Sequence, residues 1–240
     1  MTEAEWLACG DPEQLLEFLQ RDASRHLLEI RWGKSSVRKR PLFTVDRKLR
    51  LFTVACFARC SQWLVDERSR RAIAVVEQIA DGLLRFTAIM EEEPPARAAI
   101  AEIAAREDFG PIHAVAVAAS EVLSFDGARA AINTSYRIGE VQELLGGSSS
   151  EEWLRQACIL RDLFGPVPFR EVPRPQEWLT PTVLSLAQAI YADRAFNHLP
   201  ILADALEDAG CTDRDVLDHC RGSGPHVRGC WAVDLVLGKE

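Results

Sequence analysis

Along most of this chain apolar side chains recur every three or four positions, the spacing of an amphipathic α-helix, and no stretch keeps the strict alternation of a half-buried strand. Asp11-Pro12 supplies a cap and a first-turn proline, and Leu15, Leu16, Phe18 and Leu19 follow as a short amphipathic helix. Periodicity lapses over residues 23–44, within which 35–41 reads as an exposed loop. It returns at Leu49, Phe52, Cys56, Cys60 and Trp63, which predict one helix with both cysteines on its buried stripe. Asp66 is placed to cap a further helix with Ile73, Val76, Ile79 or Ala80, Leu83 and Phe86 inward, and Glu91-Glu-Glu-Pro-Pro95 is expected to end it. The alanine-rich residues 96–123, broken at Gly110-Pro111, predict two closely packing helices, and residues 125–145 another.

Gly146-Gly-Ser-Ser-Ser150 reads as a joint between an N-terminal helical domain, residues 1–147, and a C-terminal helical module, residues 148–240. Within the module, residues 165–176 are too rich in proline for helix and are expected to be extended. Thr180-Pro181 and His198-Leu-Pro200 then open two more helices, with Gly210 closing the second. Trp231–Leu237 is apolar except for Asp234, so helix and strand look alike there. Helix is preferred because nothing else offers a strand partner. The expectation is an all-α protein, an antiparallel helical bundle or array of two packed subdomains. Glu-Trp-Leu occurs at Glu5, Glu152 and Glu177 at unequal separations, which suggests tryptophans anchoring helix starts rather than a repeat.

Composition narrows the class. With 48% apolar and 27% charged residues over 240 positions, the chain suits a globular protein with a proper core. No apolar run reaches the roughly 18 residues that a membrane span needs. An acidic start without a signal-peptide pattern, and an odd count of seven cysteines, lead to an expectation of reduced thiols in a cytoplasm. The net charge of −8 argues against generic affinity for nucleic acid. One stretch opposes that balance: residues 31–50 hold Arg31, Lys34, Arg38, Lys39, Arg40, Arg47, Lys48 and Arg50 against Asp46 alone. A solvated basic loop facing an acidic surface, its own or a partner's, accounts for it better than single-strand binding, although Trp32, Phe43 and Phe52 stand nearby.

Chemistry concentrates in the tail. Cys211, Cys220, His226 and Cys230, with His219 as an alternate ligand, have the residue types of a zinc site, and Gly222-Ser-Gly-Pro225 is a turn able to fold one half onto the other. No paired-cysteine knuckle is present, and small buried thiols need no special geometry. The spacing therefore favours core and turn roles, no cofactor, and a melting temperature that a chelator leaves unchanged. A Cys230–His226 dyad lacks an orienting third group. The carboxylates Asp204, Glu207, Asp208, Asp213, Asp215 and Asp218 read as a solvated helix face, with Asp213 and Asp215 suited to a first turn.

The opening Met-Thr-Glu-Ala-Glu-Trp-Leu-Ala-Cys, the run Asp46-Arg-Lys-Leu-Arg-Leu-Phe52 and the tail around His219-Cys220 and Gly224-Pro-His-Val-Arg-Gly-Cys-Trp231 resemble a family of uncharacterised all-helical paralogues of planctomycete bacteria. Residues 23–44 depart from that pattern, since the family runs almost directly from the first helix into the Asp-Arg-Lys-Leu-Arg segment. The resemblance implies a portable C-terminal module and no particular activity. With no complete catalytic motif, the expected function is a non-catalytic protein–protein interaction or regulatory module whose partner is another protein. The alternative is a metal- or thiol-dependent hydrolase centred on Cys220, His226 and Cys230.

Overall fold

In the computed structural model residues 1–31, 42–106 and 109–239 are described, those of 22–31 and 42–44 by backbone alone. The described residues form twelve α-helices and no strand, so the chain is all-α as its periodicity predicts. The chain falls into two compact units, the first Met1 and Glu3–Ala157, the second Cys158–Glu240 with Thr2.

In the first unit α1 (Glu3–Ala8) buries Trp6, and α2 runs over Pro12–Arg31. Next come α3 (Leu42–Cys56), α4 (Glu67–Ala80), α5 (Ala88–Ala104), α6 (Pro111–Glu121) and α7 (Gly127–Leu144). Each of α3 to α6 packs on its successor and α7 returns to α3, an arrangement that short connections favour. Asp66 caps α4 by accepting from Arg68 N, and Asp126 caps α7 by accepting from Ala128 N and Arg129 N.

Four expectations are corrected here. First, α2 continues past residue 23 to Arg31. Second, α3 stops at Cys56, and two single 3₁₀ turns follow, Phe57–Arg59 and Ser61–Trp63, with Cys60 between them; both Cys56 and Cys60 are buried all the same. Third, α4 ends at Ala80 with Gly82 left-handed behind it at φ +71°, so Leu83 points outward at 70% exposure. Fourth, Pro94 and Pro95 lie inside α5 rather than ending a helix. Proline deprives two carbonyls of their donors. Tertiary contacts compensate, because the turn before the prolines buries Ile89 completely and holds Glu92 2.8 Å from Arg71.

The basic run is not one exposed loop. Residues 32–41 lie outside the described residues, while Arg47, Lys48 and Arg50 sit on α3 and are buried. Arg50 is fully enclosed: its Nε and Nη2 donate to Asp46, its Nη1 to Ser124 O at 2.9 Å, and its Nη2 also to Phe125 O at 2.9 Å. Asp46 in turn accepts from Gly127 N at 3.0 Å. The Asp46-Arg-Lys-Leu-Arg50 segment is thus a clamp between α3 and the start of α7. Its charge is consumed within the fold.

The helix α8 (Ser149–Phe164) begins in the first unit and ends in the second, where turns over residues 165–170 replace the extended chain expected there and irregular chain follows to 175. Then follow α9 (Pro181–Asp193), α10 (Leu199–Asp208), α11 (Arg214–Arg221) and α12 (Trp231–Leu237), the last settling the ambiguous segment as helix. Val183, Ile190, Leu199, Leu202, Leu206, Val216 and Val233 fill the core, with Cys211, Cys220 and Cys230 among them. Of the three Glu-Trp-Leu tryptophans, Trp6 and Trp178 are buried and Trp153 lies against Gly139.

Candidate metal centre

Four side chains of the second unit converge: Asp162 from the last turn of α8, His219 from α11, and His226 and Cys230 from the segment joining α11 to α12. Each is placed by local chemistry. Gly165 takes a left-handed φ of +53° just after α8, and a Cβ there would come within 2.5 Å of Trp231, so only glycine lets the indole cover the end of that helix. Trp231 also lies against the His219 ring, centroids 5.0 Å apart. Asp213 caps α11 through Asp215 N and Val216 N, fixing the rotation that turns His219 to the centre and Cys220 into the core. A turn from Val227 to Cys230, closed at 2.9 Å with Gly229 at φ +91°, brings the Cys230 sulfur inward.

The contacts are short. His226 Nδ1 lies 2.7 Å and His219 Nε2 3.2 Å from the same oxygen, Asp162 Oδ1. His219 Nε2 is also 3.1 Å from Cys230 Sγ. The rings cross at 82° with centroids 4.9 Å apart, so each presents one nitrogen to the carboxylate. Asp162 Oδ2 accepts from Val227 N at 2.9 Å, and His226 Nε2 faces Gly222 O at 3.2 Å. All four candidate ligand atoms lie within 4.8 Å of one another, a set that could hold a metal ion.

Electrostatics follows from burial. Desolvation opposes a charged Asp162, but hydrogen bonds and charge from His219 and His226 outweigh it and hold the carboxyl below its usual range. Desolvation likewise opposes a charged His226, and Asp162 outweighs it, raising that pKa. Burial pushes the Cys220 thiol up to about 12, and burial with the Asp162 charge pushes Cys230 well above the ordinary thiol value.

These opposed shifts predict a pH dependence in chelator-treated protein. A raised His226 pKa adds stability that is complete below the ordinary imidazole value and is lost as pH rises through the folded value. A lowered Asp162 pKa adds stability present above the ordinary carboxyl value and lost as pH falls through the folded one. The pair's contribution should therefore peak between about pH 4 and 6.5 and decline on either side. Melting curves of wild type and His226→Gln across pH 3–9 check this; parallel curves would refute it.

Of the five sequence-nominated residues, the structure gathers His219, His226 and Cys230. Cys211 and Cys220 are not in the cluster; both are buried in the apolar core. His219 takes the place given to Cys220, one position away, because the helical rotation sends the two side chains in different directions. His226 also meets a loop carbonyl, as its position beside the glycine turn suggested. Asp162 was missed. It lies 64 positions before His226 in an ordinary amphipathic helix, and only the burial of a carboxylate on that helix marks it.

The tail carboxylates have other work. Arg221 pairs with Asp204 at 2.8 Å and with Glu207 at 2.5 Å, and Arg170 pairs with Asp215 at 2.7 Å. Among the described residues no helix is long and apolar enough to cross a membrane. No protein-family model, curated protein or solved structure matches the chain.

Proposed function

We propose that this chain is a non-catalytic protein-binding module. The observation that carries the reading is a set of exposed apolar side chains on two connections of the first unit that are both anchored to α3. Leu83 at 70%, Leu84 at 37% and Phe125 at 56% exposure project from the α4–α5 and α6–α7 connections. Both connections are fastened to α3: Arg47 faces Asp81 at 3.8 Å, Arg50 lies 4.8 Å from the Phe86 ring centroid, and Arg50 holds the carbonyls of Ser124 and Phe125. Exposed apolar residues scattered singly are ordinary. Three on two connections anchored to one helix give a partner a preorganised surface with little ordering cost.

The centre in the second unit supports the same direction. A thiol hydrolase needs an accessible thiolate, whereas Cys220 and Cys230 are buried with raised pKa values. Apolar docking is favoured over charge-led docking because the basic side chains of α3 are buried and much of the acidic tail is already paired. The partner is another protein, read at an apolar surface in a cytoplasmic setting.

Affinity purification from the native host should recover a partner with wild type and with Leu144→Asp, a control elsewhere on the surface. The doubly substituted Leu83→Asp/Phe125→Asp protein should lose at least about tenfold of that recovery, as removal of a contact core worth a few kcal/mol requires. Equal recovery by all three proteins, or no reproducible partner, would overturn the proposal. Both substitutions fall on solvent-facing positions, so unchanged circular dichroism is expected.

A further inference from the structure

We propose that Asp162, His219, His226 and Cys230 bind one divalent transition-metal ion of the zinc class in a closed, four-ligand site. This goes beyond the protein-binding reading and rests on different residues, so either can fail without the other.

The donor set comes first. Two imidazole nitrogens, one carboxylate oxygen and one sulfur are ligands a borderline ion takes in tetrahedral geometry. With bonds of about 2.0–2.3 Å, the edges of such a tetrahedron measure roughly 3.3–3.7 Å. The contacts of 2.7, 3.1 and 3.2 Å and the outer limit of 4.8 Å bracket those edges. A metal would lengthen the shortest edge by roughly half an ångström and draw in the longest, within reach of side-chain adjustment.

Outer contacts orient three of the ligands. Gly222 O accepts from His226 Nε2, which leaves the Nδ1 lone pair directed inward. Val227 N occupies Asp162 Oδ2 and leaves Oδ1 for the metal. At Cys230 the backbone N–H groups of Val233 and Ala232 favour a charged sulfur, while burial and Asp162 outweigh them and keep the thiol protonated until a cation displaces its proton. The charges match too, since a carboxylate and a thiolate neutralise a divalent cation in a buried place.

Hydrogen bonding alone serves this geometry poorly. His219 Nε2 lies 3.2 Å from Asp162 Oδ1 and 3.1 Å from Cys230 Sγ, and one nitrogen cannot at once donate to the carboxylate and accept from the thiol. A cation in the centre meets the nitrogen, oxygen and sulfur lone pairs together. Four protein ligands leave no position for substrate, so the ion's role is structural: it ties the end of α8 to α11 and to the segment before α12.

Chain purified without a histidine tag should contain one zinc per molecule by elemental analysis. Apoprotein titrated with Co²⁺ should develop the visible absorption of a tetrahedral centre, with a near-ultraviolet sulfur-to-metal band saturating at one equivalent. Cys230→Ser should abolish the sulfur band, and Asp162→Asn should weaken Co²⁺ binding by more than about a hundredfold, beyond the loss typical of an outer-contact partner. Cys211→Ser should bind as wild type does. Chelator should lower the melting temperature by roughly 10 °C and zinc restore it. Absence of a cobalt spectrum in wild-type apoprotein would overturn the proposal without dependence on any variant's folding. Metal loss in Cys211→Ser as complete as in Cys230→Ser would overturn this ligand set in favour of the one suggested by spacing.

Discussion

Replacing Asp162 with alanine is expected to destabilise the second unit by about 3–5 kcal/mol, the cost of removing one member of a buried ionic set. Its carboxylate is 3% exposed and serves His219, His226 and the Val227 amide. Without it, two rings and an N–H lose their acceptor where water does not readily substitute. Hydrogen exchange read on peptides from residues 211–239 localises the loss, and urea unfolding measures it. If the substitution costs less than about 1 kcal/mol, the cluster is no more than a surface-grade ion pair and the account of the tail fails. Chelator should narrow the gap between wild type and variant if a metal contributes, because wild type then loses part of what the variant already lacks.

The Arg50→Met substitution should weaken the first unit by a similar amount, about 3–5 kcal/mol. Methionine replaces much of the buried stem but leaves the carbonyls of Ser124 and Phe125 without their donor and Asp46 without its guanidinium. Asp46 is one-quarter exposed, so water relieves part of its loss and the two carbonyls carry more of the cost. A double-mutant cycle with Asp46→Asn separates these shares, the ion pair appearing as the coupling energy. Partner recovery should fall as well, since the connections bearing Leu83 and Phe125 lose their anchor. A variant that unfolds like wild type would show that the clamp adds nothing to stability.

Helix class was legible because burying one face leaves a three-to-four-residue period in the sequence, and Leu15, Leu16, Leu49, Phe52, Val76 and Ile79 all register it. Caps were legible for the same local reason: Asp66 and Thr180 bond amides two or three positions away. The errors at Leu83 and at Pro94-Pro95 have the opposite cause. Periodicity does not mark where a helix stops, and proline's local penalty can be outweighed by packing on either side. The side chains of α3 show the limit of charge counting, since Arg47, Lys48 and Arg50 resemble a solvated basic run until two other connections are found closed around them.

By itself the sequence determined the all-α class, most of the helices and the tail as the place where chemistry concentrates. Each depends on residues within one or two turns of one another, or on composition. Tertiary structure decided which side chains meet. It turned Cys211 and Cys220 into core, because helix rotation and the packing of Val216 and Leu217 leave those thiols only the apolar side. It brought Asp162 from the end of α8 to His219, His226 and Cys230, because Gly165 admits Trp231 over that helix end. Contact between residues 64 positions apart follows from how helices stack, and no short-range spacing encodes it.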